Sequence, residues 1–322
     1  MPVDLPLAVQ ARRRILHGAA LFAAAAALPA LRAASAAEGV PYSSGSEAPR
    51  MALPSGAVDC HMHIYDSRFP VAPNATLRPP DAGIDDFRRL QARLGTARTV
   101  VVQPSTYGTD NRCTLDALAR LGATARAVAV VDTTVADSEL DRMALLGVRG
   151  IRFNLVQAGA TSIDMLEPLA RRMADRGWHV QIHMKADQIA QAEALLMRLP
   201  CPVVFDHLAR VPPQAGLSHP GFASVRKLLD GGRAWVKLSG AYHDSVVGEP
   251  TYADMAPVAR AYVAAAPERV VWGSDWPHPT TNRKPDDAHL LDLLLDWAPE
   301  ASLRKRILVD NPQRLYGFEP VA

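Results

Sequence analysis

Ala57-Val58-Asp59-Cys60-His61-Met62-His63-Ile64-Tyr65 sets polar residues at 59, 61 and 63 between apolar ones at 58, 60, 62 and 64. A strand turns successive side chains to opposite faces, so the spacing predicts a strand with Asp59, His61 and His63 on one side. A lone histidine there would read as a core residue with a backbone partner. Two imidazoles and a carboxylate closing an apolar strand, with the loop-like stretch Tyr65 to Gly83 behind them, point instead to catalysis or metal binding.

Working outward, the same kind of short apolar run returns seven times: Thr99 to Gln103, Arg126 to Val131, Val148 to Asn154, Trp178 to Met184, Pro202 to His207, Ala234 to Ser239 and Arg269 to Asp275. Between the runs lie segments with helical spacing: Ile84 to Leu94, Cys113 to Leu121, Asp137 to Leu146, Ile163 to Arg176, Asp187 to Leu199, Phe222 to Leu229 and Tyr252 to Ala266. Asp286 to Trp297 and Ser302 to Val309 follow the last run. Strands alternating with helices predict a parallel sheet, and eight such units predict a single-domain (β/α)8 TIM barrel over residues 57–322. No Gly-x-Gly-x-x-Gly follows the first strand, which removes the main argument for a dinucleotide fold.

The N-terminus is of another kind. Arg12-Arg13-Arg14-Ile15-Leu16-His17 precedes an Ala-rich apolar run from Gly18 to Leu31 and the small residues Ala33-Ala34-Ser35-Ala36-Ala37. This order reads as a signal peptide over residues 1–37, too short to span a bilayer, and it resembles the twin-arginine export signal. Export to the periplasm is the expectation, with residues 38–56 as an exposed linker.

Removing the leader takes away four Arg and one Asp and leaves 31 basic against 32 acidic residues. A near-neutral chain without a basic stripe offers nothing to nucleic acid. Cys60, Cys113 and Cys201 form no C-x-x-C pair and read as buried thiols, with one disulfide left open. The Trp and Pro residues of 272–285 read as an exposed face for a second copy.

In a barrel of this kind the chemistry sits at the C-terminal ends of the strands. His61 and His63 end the first run, Arg152 and Asn154 the fourth, His183 the fifth, His207 the sixth and Asp275 the eighth. In the fifth run the alternation turns His179, Gln181 and His183 to the lumen. Asp206 alternates away from His207 and reads as a structural acceptor, while Arg210 reads equally as a surface or a substrate residue. Asp275 closes an apolar strand, where a carboxylate is costly unless paired or catalytic, and its expected role is to take a proton from water held near the histidines. His278 reads as a loop residue.

Val58-Asp-Cys-His-Met-His63, Val102-Gln-Pro-Ser-Thr-Tyr-Gly-Thr-Asp-Asn111, Val148-Arg-Gly-Ile-Arg-Phe-Asn154, Phe205-Asp-His-Leu-Ala-Arg210, Lys237-Leu-Ser-Gly-Ala-Tyr242 and Trp272-Gly-Ser-Asp-Trp-Pro-His-Pro279 together resemble the amidohydrolase superfamily. The closest likeness is to its lactone-hydrolysing branch, which opens pyrone-dicarboxylate, sulfomuconate and sugar lactones. The resemblance implies that His61, His63, His183 and Asp275 hold one divalent metal, Zn2+. It further implies that His207 holds substrate or metal and that Arg152 clamps a substrate carboxylate. Ser105, Asn111, Arg210, Tyr242 and His243 are carried over as substrate-facing, His243 standing where the pyrone lactonase has another basic residue. That lactonase works without metal and has a tyrosine at the position of His183, so metal-independent catalysis stays open.

The expected reaction is opening of a small anionic lactone by activated water. The rivals are a metal-dependent decarboxylase on the same barrel, where Arg152 would serve the leaving carboxylate, and a non-catalytic periplasmic binding protein, which would have no use for that set of histidines.

Overall fold

The structure is a computed structural model that describes residues 39–156 and 159–320. The expected leader lies outside the described residues. Eight strands form one parallel sheet in sequence order: β1 Val58–Met62, β2 Arg98–Val102, β3 Ala125–Ala129, β4 Val148–Asn154, β5 His179–His183, β6 Val203–Phe205, β7 Ala234–Leu238 and β8 Val270–Trp272. The chain beyond β8 closes the ring against β1. Asp275 N donates to His61 O (2.7 Å), His63 N donates to Trp276 O (2.8 Å), and Met62 pairs with Trp276 in parallel. The barrel expected from eight βα units is therefore what folds.

The outer layer follows from helical periodicity. Helix Ile84–Leu94 buries Ile84, Phe87, Leu90 and Leu94 on one face, carries Asp85 and Asp86 in its first turn, and stops at Gly95 in the left-handed region (φ 84°). That spacing covers the sheet with one apolar stripe, each large side chain contributing about 1.5–3 kcal/mol of burial. Several expected helices are split. Asp187 to Leu199 breaks into Ala186–Gln191 and Glu193–Leu196 at Ala192, whose ψ of 1° leaves the helical region.

Strand β1 departs from simple alternation, and the site depends on it. Asp59 pairs with Thr99 but Met62 with Val101, so β1 carries one extra residue between them. This bulge splits the three polar residues expected on one side. Val58 and Cys60 join an inner cluster with Val100, Val102, Val204 and Val271, whereas Met62 joins the outer core. Asp59 turns outward and accepts from Ser274 N (3.0 Å) and Ser274 Oγ (2.6 Å), while His61 and His63 turn inward. Asp59 thus fixes the end of β8 instead of joining the histidines.

The inner cluster also holds Tyr316, the last residue of the C-terminal helix Asn311–Tyr316, and Phe318 just beyond it. Residues 39–56 are largely exposed or half-buried, but they are tied to the barrel. Val40 and Met51 are buried, Trp276 Nε1 donates to Pro41 O (2.8 Å), and the Asp292 carboxylate accepts from the backbone of Arg50 and Met51. Trp272 and Trp276 are also buried, so the apolar face expected at 272–285 is spent inside the fold. All three cysteines are buried free thiols. Among the described residues, no helix is long and apolar enough to cross a membrane.

Candidate active site

A narrow cleft opens at the C-terminal ends of the strands, lined by His63, Tyr65, Leu77, Pro104, Ser105, Arg152, Asn154, His183, His207, His243, Asp275, Pro279 and Thr280. A larger, more apolar cavity of about 470 Å³ meets it at Ser105. The titratable groups converge in the cleft, which is where we locate the chemistry.

Asp275 is the centre of the cluster. Its Oδ1 lies 3.5 Å from His61 Nε2, 3.4 Å from His63 Nε2 and 3.9 Å from His207 Nε2. Its Oδ2 accepts from the Tyr242 hydroxyl and lies 3.1 Å from His243 Nε2. Burial raises this carboxyl, and only a positive charge shared with the imidazoles around it, His207 first, pulls it below its ordinary range.

Asp275 itself has φ 66°, and the four residues from His207 to Arg210 have φ of 51–56°, one left-handed turn. Non-glycine residues adopt that region only against a cost of about 1–2 kcal/mol each, which the surrounding packing must overcome. The turn ends the alternation expected for β6, which stops at Phe205. With about three residues per turn, His207 and Arg210 come to one side. Asp206, still extended, faces the lumen on the same side as Val204, and the turn brings His207 in beside it. Asp206 does act as an acceptor: Arg152 Nε donates to it (3.2 Å), and its Oδ1 lies 3.3 Å from His61 Nδ1.

Two glycines make room for the rings. A Cβ on Gly273 would stand 2.6 Å from that of His61, and one on Gly240 would stand 2.6 Å from His207 Nδ1 and 2.7 Å from His243 Cδ2. His207 Nδ1 lies 3.0 Å from Ser239 Oγ. His61 is wholly buried and held neutral, its pKa pushed down to about 3 by burial and then by Lys237. Burial likewise lowers His183 and His207 well below the ordinary imidazole value.

Lys237 was not anticipated. It is fully buried below the cluster, its Nζ donating to Gln181 Oε1 (2.7 Å) and Cys60 O (2.9 Å) and lying 3.3 Å from His61 Nδ1. Burial pushes its pKa down to about 8. The signal was present: Ala234-Trp-Val-Lys-Leu238 places a lysine in an apolar strand, on the same parity as Trp235 and Ser239. His278 was also underrated. It is buried, with Nδ1 3.1 Å from the Tyr242 hydroxyl and Nε2 3.1 Å from Asp287.

Among the expected residues, His61, His63, His207, His243, Tyr242 and Asp275 come together, and Arg152 and Ser105 line the same cleft. Two do not take the expected positions. Asn111 donates to Thr109 O and Val130 O and accepts from Val130 N, so its amide is consumed in tying the loop to the end of β3. His183 stands outside the compact donor groups His61, His63, Asp275 and His207, His243, Asp275, because its Nε2 accepts from Arg210 Nη1 at 3.0 Å. Arg210 is in turn held by the Asp244 carboxylate through Nε (2.7 Å) and Nη2 (3.0 Å).

The donor set suits a divalent cation. His63 Nδ1 donates to Val102 O (2.8 Å), which leaves the lone pair on Nε2 facing an Asp275 oxygen, while His61 Nε2 is buried without a partner beside the same oxygen. Lone pairs that face one another across 3.4–3.5 Å require a cation or a proton between them.

A (β/α)8 barrel with histidines on β1 and past β6, and an aspartate past β8, around one cleft defines a hydrolase of the acid–base or metal-assisted kind. The chain belongs to the amidohydrolase family, whose model matches residues 58–318. It is 39% identical over 286 residues to the 2-pyrone-4,6-dicarboxylate hydrolase of Comamonas testosteroni, covering 85% of this chain and 94% of that one. It is 35% identical over 279 residues to the D-galactarolactone isomerase of Agrobacterium fabrum, covering 85% and 95%. An apo crystal structure from Agrobacterium tumefaciens superposes with a TM-score of 0.80 at 33% identity, covering 87% of this chain and 99% of that one.

Proposed function

We propose that the protein hydrolyses a small lactone that carries a free carboxylate. The observation that carries this reading is the Asp275 carboxylate, set within 3.1–3.9 Å of a ring nitrogen of each of His61, His63, His207 and His243 in the cleft that Arg152 also lines. The names of the two relatives support the substrate class, since a pyrone dicarboxylate and a galactarolactone are both lactones with a free acid group.

His61 Nε2, His63 Nε2 and an Asp275 oxygen are the ligands we assign to a metal, with zinc as the ion. When bound, it would supply Lewis acidity at the site of attack. The chain's own groups do the rest. Arg152 has Nε engaged by Asp206 and lines the cleft with its remaining guanidinium, so it orients the substrate carboxylate. Water adds to the lactone carbonyl while its proton passes to Asp275 Oδ2. His207 Nε2, its ring anchored at Nδ1 by Ser239, faces the developing oxyanion. The ring C–O bond then breaks, the proton returns to the departing oxygen, and a hydroxy acid is released.

The lactone relatives favour ring opening over loss of CO2. Isomerisation is the second reading, favoured by the galactarolactone isomerase likeness, and product mass separates the two. The purified protein is incubated with 2-pyrone-4,6-dicarboxylate and aldarolactones, before and after chelation and with zinc restored. The expected product gains the mass of one water, and activity falls on chelation and returns with zinc. An unchanged mass favours the isomerase, and CO2 the decarboxylase. We also infer export from the Arg12-Arg13 leader; retention of an Arg12→Lys, Arg13→Lys variant in the cytoplasm, with the unaltered chain in the periplasm, is the expected fractionation result.

A further inference from the structure

Resting on that reading of the cleft, we propose that His183 is not a metal ligand. It is a neutral hydrogen-bond donor to the substrate's carboxylate, fixed in that form by the Arg210–Asp244 pair.

The argument begins with what each group is able to donate. A guanidinium has five N–H donors and no acceptor, so the 3.0 Å contact between Arg210 Nη1 and His183 Nε2 leaves the imidazole only the accepting role. A neutral ring that accepts at Nε2 carries its proton on Nδ1. Asp244 holds Arg210 through two parallel bonds, so the donor cannot swing away without breaking a bidentate pair. The left-handed turn at His207–Arg210 delivers Arg210 to this position.

The other end of the ring is the unexplained one. His183 Nδ1 is buried with no hydrogen-bond partner, and His183 lines the cleft with Arg152. A buried donor without an acceptor costs about as much as a lost hydrogen bond, and the group that relieves it is an oxygen brought in from outside. Arg152 acts on the same ring, helping burial to keep it uncharged. Because His183 and Arg152 line the same cleft, a carboxylate held by Arg152 is the acceptor we assign to Nδ1.

His63 provides the contrast. It has the same tautomer, but its Nδ1–H is used on Val102 O and its Nε2 lone pair is turned to Asp275. One ring presents a lone pair to the cluster, and the other keeps a proton on Nδ1 that no acceptor takes.

Three measurements test this. In long-range proton–nitrogen spectra of protein labelled with 15N-histidine, the signals lost in His183→Phe should belong to an Nδ1–H tautomer, and Arg210→Met should move them towards the Nε2–H form while Arg210→Lys restores them. Zinc bound after equilibrium dialysis should be unchanged in His183→Phe and reduced in His61→Asn. With a turned-over lactone carboxylate, His183→Phe should raise KM roughly 10- to 100-fold with kcat nearly kept. Loss of zinc in His183→Phe, or an Nε2–H tautomer in the unaltered protein, overturns the proposal. Should His183→Phe not fold, Arg210→Met and its spectrum decide. If the unaltered protein opens no lactone, the ring-opening reading fails, and the tautomer and zinc results still judge this one.

Discussion

His179 and His183 stand at opposite ends of β5, both turned to the lumen, both buried, both lowered in pKa by burial, and both with one ring nitrogen lacking a partner. They nevertheless belong to different regions. His179 meets the Tyr316 ring edge to face at 5.4 Å and fills the space over Gly150, where a Cβ would stand 2.5 Å from its Nε2. Tyr316 belongs to the apolar inner cluster, and His179 does not line the cleft described above. His183 lies among Arg152, His207 and Asp275 at the open end. An orphaned polar atom is therefore no mark of a site on its own. Lys237 and Asp206 act on the ring at the closed end as well; what the mouth adds is a cleft that a ligand is able to fill.

The largest effect that would break this contrast is at the mouth. Asp275→Asn should lower kcat/KM roughly 10²- to 10⁴-fold while the thermal midpoint stays within about 4 °C, since the carboxylate serves chemistry more than packing. Steady-state kinetics and a melting curve on the same sample check it, and retained activity would refute the general-base role.

Lys237 lies between the two ends and should answer in stability. Lys237→Met leaves Asp206 with less compensation inside the barrel, and a broken buried pair costs about 3 kcal/mol, so denaturant unfolding should show a loss of that order. A variant as stable as the unaltered chain would remove the lysine from the account of the cluster.

The smallest effect belongs to the closed end. His179 has its pKa pushed down to about 3, so between that value and about 6.5 the unfolded chain binds a proton that the folded chain refuses. Stability supplied by the neutral ring is therefore lost as pH falls through this window. His179→Gln should lose less stability than the unaltered chain between pH 6.5 and 5, by on the order of 1 kcal/mol, with activity at neutral pH nearly kept. Asp59, pushed up to about 7 by burial, works in the opposite direction in both proteins and cancels in the comparison.

Much of the site was legible because two periodicities carry it. Alternation in β5 turned His179, Gln181 and His183 inward, as the ladder with Gly150, Arg152 and Asn154 bears out. It misled in β1 and past β6, where one extra residue at 59–62 and a left-handed turn at 207–210 change which side chains face the lumen. Neither leaves a signature in residue type, because the bulge and the turn are held by contacts from other strands.

The order of apolar runs and helical stretches was enough to determine an eight-fold barrel with its histidines and Asp275 at one rim, since strand and helix periods are local properties of the chain. Only the tertiary structure decided that Asp59 serves Ser274, that Lys237 supports His61 from below, and that Arg210 reaches the far nitrogen of His183. Those pairings join residues 27 to 215 positions apart, and which donor meets which acceptor is set by the closing of the ring.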